Sequence, residues 1–406
     1  MDAITYLTGL SLILILGILG SFLARKMRVS PLLILVLLGM LLANSGLAAF
    51  SIFSLPNQFI VGLSLLTLAM VVFDGSSKLT LQDLEKRTDK ALELVTVFIV
   101  CNLILLGAAA SFLVFGWSVQ GVIYSIILAV VMAGTDPGSV FIMLGDVKHK
   151  ALDFLRLEAI LNTPIIVIIP FLLINILRDV SVLSVASTLT DLLVPFLQQI
   201  FVGVGTGVVI GIIVFRMMRK HYSKQLSPVV VIATTILSYV LAENFGGNGV
   251  LSVATLGLVF GNTYVKRREY LMEFSGLLAT SLEILVFILV GMLVVVDFPF
   301  AFFLKSILLF LVAIAARHLA VLITLHDSDF KLAEKTFIAL NMPKGIAVAV
   351  VALTFSVLGV NLDGVLPLMI LFIVYSLILS SVTDRFGKFF IRKEILLDEA
   401  PPATKK

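Results

Sequence analysis

The sequence predicts an all-α polytopic membrane protein of about thirteen transmembrane helices, and three observations predict it. Apolar residues make up 60% of the 406-residue chain and charged residues only 13%, about half the charged share of a soluble domain. Apolar runs long enough to span a bilayer recur along the whole length, without the strand-like alternation of an outer-membrane barrel. The basic residues alternate between gaps. Of 29 Lys and Arg, all but Arg156, Arg178, Lys305, Arg317 and Lys344 fall in odd-numbered loops or the C-terminal tail. That bias puts the N-terminus outside and the C-terminus in the cytoplasm of a plasma membrane. With a net charge of +4 distributed in this way, a lipid bilayer is the expected surroundings and nucleic acid is not an expected partner.

The first run, 5–23, has no basic segment before it and reads as a retained helix, not a cleaved signal. Runs at 31–48 and 57–74 follow, with Asp74 closing the third in VVFDGSSKLT. The fourth, 91–115, holds the single cysteine, Cys101, a small core residue that has no internal disulfide partner. The fifth, 120–144, contains AGTDPGSV. Pro137 lacks an N–H and biases Asp136 away from helical geometry, and Gly134 and Gly138 loosen the chain on either side. The helix is therefore expected to unwind at Thr135–Asp136, freeing carbonyls that can bind a cation; a plain proline kink is the alternative.

The sixth run, 152–177, carries Arg156, Glu158 and Asn162. Glu158 and Asn162 are four apart and share a helix face, and a buried Glu158 needs a positive partner or a proton. The seventh (190–215), eighth (227–243) and ninth (248–264) are apolar, with Glu243 at an outer end. The tenth, 271–296, carries Glu283 in mid-span. The eleventh, 299–325, carries Arg317, the best partner for Glu158, and Lys305, which can snorkel to an interface. A purely structural Glu158–Arg317 pair is at least as good a reading as an ion ligand.

The twelfth run, 333–357, is interrupted by Pro343, Lys344 and Gly345, and the thirteenth covers 364–386. At the interruption Lys344 can neutralise freed carbonyl ends or pair with an acid, unless the helix starts later and Lys344 lies in a cytoplasmic loop. If helices 1–6 and 8–13 are two six-helix repeats, the seventh inverts the second against the first, a common transporter architecture. The broken helices 5 and 12 are then repeat partners. His149 and His326 read as solvated loop residues. No spacing resembles a metal site, a phosphate loop or a nucleophile triad, so neither enzymatic activity nor a cofactor is expected.

Six stretches, FDGSSKLTLQDLEK, GTDPGSV, LEAILNT, YVLAENFGGNGVLSVATLGLVFGN, ARHLAVLITL and MPKGIAVAVVAL, occur in order along the chain. Together they resemble the motifs of monovalent cation:proton antiporters, specifically the NhaP-type sodium/proton exchangers. The resemblance implies a homodimer. Its dimer domain would comprise 1–90 and 226–297, its mobile core 91–180 and 298–390, with 181–225 as the linking helix and 391–406 as a short cytoplasmic tail. It implies an ion site where the discontinuous helices 5 and 12 cross, with Thr135, Asp136, Asn162, Thr163 and Asp74 in ion binding or coupling. Glu158 would pair with Arg317 and hold Asn162 in place, and Lys344 stands where Arg is commoner.

The chain departs from the pattern in helix 6. The family's Asn-Asp is Asn162-Thr163 here, and a Ser ligand is Ala159. Threonine can offer an oxygen to a cation but cannot release a proton at physiological pH. The expected function is exchange of Na⁺ or K⁺ for protons by alternating access with atypical coupling, Asp136 being the first substitute acid and Asp74 the second. The alternatives are a proton-uncoupled transporter of a cation or another solute, and a non-transporting sensor or scaffold of the same fold.

Overall fold

In a medium without water the backbone must satisfy itself, and this chain does so with helices. The computed structural model describes residues 3–27, 29–44, 56–79, 81–136, 149–178, 185–293, 299–357 and 364–387. Among them every regular element is helical. The order is α1 (Ala3–Met27), α2 (Pro31–Asn44), α3 (Asn57–Ser77) and α4 (Leu81–Asn102), the last continued by π-helical turns at Leu103–Gly107 and Ser111–Phe115. There follow α5 (Val119–Val131), α6 (Lys150–Arg178), α7 (Val185–Lys220), α8 (Leu226–Asn244) and α9 (Gly249–Asn262). The chain continues with α10 (Arg268–Met292), α11 (Phe300–Thr324), α12 (Leu332–Leu340), α13 (Ile346–Val357) and α14 (Val365–Arg385). Pro137 and Gly138, the half-helix expected after them, and the tail beyond Gly387 lie outside the described residues.

Eight helices among the described residues are long and apolar enough to cross a membrane. Leu12, Ile15, Leu19 and Phe22 on α1 and Phe201, Ile212 and Ile213 on α7 are exposed large apolar side chains, a surface that suits lipid. The protein is a multi-pass integral membrane protein.

The sequence placed the elements within a few residues, with instructive differences. The loop expected between Asp74 and Ala91 is almost absent, because α3 runs to Ser77 and α4 starts at Leu81. The intervening LQDLEKRTDK is charged but helix-forming, with an acid and a base at four-residue spacing in Asp83 and Arg87. The fifth helix stops at Val131, and residues 132–136 are not helical. The twelfth is split into α12 and α13 by the non-helical segment 341–345. Lys344 is fully buried there, which removes the reading that put it in a solvated loop. His149 is a correction too. It is not a solvated bystander but buried, with Nε2 3.4 Å from Glu334 of α12.

One set of helices packs among itself: α2 on α10, α9 on α7 and α3, α10 on α3, and α8 on α9. In a second set, α4 contacts α6 and α11, α5 contacts α6 and α14, and α13 contacts α14. The crossing of α2 and α10 is a backbone-to-backbone approach. A Cβ on Gly39 would meet the Ile288 carbonyl and Gly291, and one on Gly291 would meet the Val36 carbonyl and Gly39. In lipid, where tails are as apolar as side chains, such small-residue contact is a main source of helix association. Short α13 touches α3, α10 and α6, so the second break lies where the two sets meet.

Candidate functional site

The two breaks are fastened to each other through the backbone. The Asp136 N–H donates to the Pro343 carbonyl at 2.9 Å. A helix end leaves carbonyls without partners, and two of those just beyond α5 are taken by one cation. Lys344 Nζ donates to the Met132 carbonyl at 2.6 Å and to the Gly134 carbonyl at 2.8 Å. A positive charge at a helix C-terminus also offsets the helix dipole. The Lys344 backbone N–H donates to Ser376 Oγ on α14 at 3.0 Å. The next residue, Gly345, sits flat against Asp136. A Cβ there would overlap the Asp136 Cβ and Cγ, so the motif's glycine makes room for the motif's aspartate.

Behind the breaks lies a fully buried ion pair. Arg317 Nη1 donates to Glu158 Oε1 at 2.7 Å and Nη2 to Oε2 at 2.6 Å, the two-pronged geometry that makes Arg–carboxylate pairs strong. The guanidinium lies over the Phe98 ring at 4.7 Å, and Lys344 Nζ lies 5.9 Å from the same ring. Thr135 connects the pair to the sixth helix. Its hydroxyl is 3.5 Å from Glu158 Oε1, a long contact, and accepts from Asn162 Nδ2 at 2.7 Å. Asn162 thus meets the pair through Thr135, not directly. Its Oδ1 is buried with no hydrogen-bond partner among the described residues.

A cavity of about 270 Å³ opens in front of the breaks. Asp136, Thr135 and Thr163 line it together with Arg156, and Asp74 lines it from α3 with Lys78. Glu158, Asn162, Arg317 and Lys344 are not part of that lining; they form the frame behind it. Thr163 donates its hydroxyl to the Ala159 carbonyl at 2.6 Å, which leaves the oxygen's lone pairs available. Asp74 forms an ion pair with Lys78 at 2.6 Å, the lysine being exposed at the mouth. Carboxylate, hydroxyl and carbonyl oxygens are the hard ligands that alkali cations prefer.

Sequence reasoning left several groups out of the site. Glu283 on α10 lines the same cavity; its mid-span position was the signal. His149 and Lys150 at the start of α6 converge on Glu334, whose Oε2 also accepts from the Lys331 N–H at 2.6 Å. Two of those residues were read as separate loop charges. Asn341, at the break, donates to Asp384 at 2.6 Å and accepts from Ser380 at 2.6 Å. No local pattern announces that pairing, because it joins positions 43 residues apart.

Comparison with known proteins gives the setting of this geometry. The family described as "Sodium/hydrogen exchanger, transmembrane" matches residues 10–385. The K(+)/H(+) antiporter NhaP of Alkalimonas amylolytica is 24% identical over 355 residues, which is 85% of this chain and 59% of that protein. The K(+)/H(+) antiporter NhaP2 of Shewanella sp. (strain ANA-3) is 23% identical over 290 residues, 70% of this chain and 48% of that one. The chain thus spans 59% and 48% of the length of these two curated relatives. A solved structure of the sodium proton antiporter MjNhaP1 from Methanocaldococcus jannaschii superposes with a TM-score of 0.80 at 18% identity, covering 97% of this chain and 99% of that one. At that identity the likeness establishes the fold. A match over nearly the whole chain, on a matching fold, makes this protein a member of the sodium/hydrogen exchanger family of transmembrane proteins.

Proposed function

We propose that the chain exchanges a monovalent cation, Na⁺ or K⁺, for protons by alternating access. The observation that carries this reading is the Asp136 carboxyl, just beyond the end of α5, held on Gly345 of the break between α12 and α13 and lining a cavity. Asp136, Thr135 and Thr163 supply cation ligands. The Glu158–Arg317 pair and Lys344 hold that constellation in shape, and Asp74 with Lys78 stands at its entrance. A cation and a proton compete for one carboxylate, so occupancy by one requires departure of the other. The helices around α2, α3, α9 and α10 act as a fixed, homodimer-forming half. Those around α4 to α6 and α11 to α14 act as the moving half, with α7 linking them. The relatives named as antiporters of K⁺ and H⁺ support the substrate class. The chain works as a transporter without enzymatic activity, in the plasma membrane, with the cavity open to the cytoplasm.

A second reading rests on Thr163. With a neutral hydroxyl in place of an acid, the same site would carry a cation without proton coupling. One experiment separates the two. In liposomes containing the purified protein, a Na⁺ or K⁺ gradient is expected to drive an opposing pH change. Tracer flux of either ion with no pH change between pH 5 and 9 would establish the uncoupled reading.

The Gly345–Asp136 contact gives a further expectation. Gly345→Ala should displace the Asp136 carboxyl and remove cation-driven proton movement. The overpacking should lower stability by about 1–3 kcal/mol. Flux and thermal unfolding of the same preparation check both parts, and normal flux at full stability would show that the contact is dispensable.

A further inference from the structure

Glu283 is the acid in the site cavity that neither the motifs nor the frame accounts for. It stands on α10 and lines the same cavity as Thr163 of α6. It makes no hydrogen bond or ion pair with any described residue, unlike Glu158, which Arg317 holds, and Asp74, which Lys78 holds. Asp136 and Asp74 line the same cavity.

Resting on the exchange reading above, we propose that Glu283 is the second carboxylate of the cation site, taking from α10 the part that Thr163 leaves vacant. Two carboxylates that share a low-dielectric cavity repel each other, and either a proton or a cation between them relieves the repulsion. Among the described residues, the other charges around the two cavities that Glu283 borders come from several elements, and α1 contributes Arg25. α3 contributes Asp74, with Lys78 just past its end, the segment after α5 contributes Asp136, α6 contributes Arg156, and Gly345 with the start of α13 (Ile346, Ala347, Val348) contributes no charge. Lys344 is turned away onto the Met132 and Gly134 carbonyls. The Asp136–Glu283 pair therefore holds one cation, or one proton more. When a cation enters, the pair's proton leaves to water and both carboxylates become ligands. When a proton returns, the cation goes.

Glu283 is also reachable from a second side. With Thr280 it borders another cavity of about 180 Å³ between α1, α2 and α10, which Ser21 and Arg25 also line. A proton can approach through that cavity without crossing the cation's path past Asp74. Placement on the wall between two cavities distinguishes Glu283 from Asp136, which faces only the first of them.

The test uses the full chain in liposomes, with internal pH and tracer cation read in parallel, and thermal unfolding in detergent at graded Na⁺ and K⁺. Glu283→Gln is expected to lose cation-driven proton movement. Glu283→Asp, which keeps the acid, is expected to retain it. In unfolding, ligand that binds the native state raises Tm. Wild-type stabilisation by the cation should grow as pH rises, and that growth should vanish in Glu283→Gln. Adding Thr163→Asp to Glu283→Gln returns an acid from α6 and should restore coupling. If Glu283→Gln exchanges like wild type with an unchanged pH profile, the assignment is wrong while the exchange reading stands. If wild type moves no protons with either ion, the exchange reading falls and this assignment falls with it. Should Glu283→Gln prove too unstable to reconstitute, the Glu283→Asp and Thr163→Asp pH profiles decide. A profile unmoved by both refutes the pairing.

Discussion

Arg317→Met is expected to destabilise the protein by about 3–5 kcal/mol, the size of effect seen when one partner of a buried ion pair is removed. Arg317 and Glu158 are both fully buried, so the substitution leaves a buried carboxylate without the guanidinium that pairs with it. Thr135, at 3.5 Å, is the other side chain bonded to it, and a long neutral contact cannot replace a guanidinium. Arg317→Lys keeps the charge but presents a single ammonium where two N–H groups meet two oxygens, so it should recover part of the loss. Removing both charges tests whether the pair exists for stability. Glu158→Leu with Arg317→Met should regain most of the lost stability, because a well-packed apolar pair is often no worse than a buried ion pair. Transport should stay absent, since Thr135 and Asn162 would lose the group that positions them. Unfolding temperatures and flux for the single and double variants make the check. A single variant as stable as wild type would mean that the pair contributes little to the fold.

The division between legible and illegible follows from how far each interaction reaches along the chain. Helix positions were legible because bilayer thickness imposes one length and water exclusion imposes one backbone solution. The break at Lys344 was legible because proline and glycine flank it. So was the partner of Glu158, because few mid-span charges were available to choose from. Four-residue spacing puts Glu158 and Asn162 on one face, but the spacing alone does not show that Thr135 from another element lies between them. Gly345 could be read as a helix breaker, yet its contact with Asp136 joins positions far apart in sequence. His149 was misread for the same reason. A histidine beside lysines in a short loop looks solvated until Glu334, from α12, is brought against it. Glu283 was noticed and then set aside, because no motif contained it and its neighbours in the cavity come from α3, α6, α13 and the segment after α5.

Asp136→Asn is expected to reduce cation-driven proton movement to background at every pH, with the fold kept. Asparagine fills the volume of aspartate on the Gly345 backbone. The backbone N–H still donates to the Pro343 carbonyl, and Lys344 still meets the Met132 and Gly134 carbonyls. What disappears is the negative charge, and with it both the strongest cation ligand on the broken helix and a group able to release a proton. In wild type, competition of one proton with one cation predicts a direction. Where the proton dominates the site, apparent cation affinity should rise about tenfold per pH unit, and a saturating cation should weaken proton binding reciprocally. Asp136→Asn should bind cation weakly at all pH values, so that Na⁺ or K⁺ no longer raises its unfolding temperature. That outcome separates Asp136 from Glu283, whose amide variant should keep some cation stabilisation and lose its pH dependence. It also separates exchange from uncoupled flux. A proton-uncoupled carrier would keep pH-independent tracer flux in Asp136→Asn, because the Thr135 and Thr163 oxygens remain to ligate the ion.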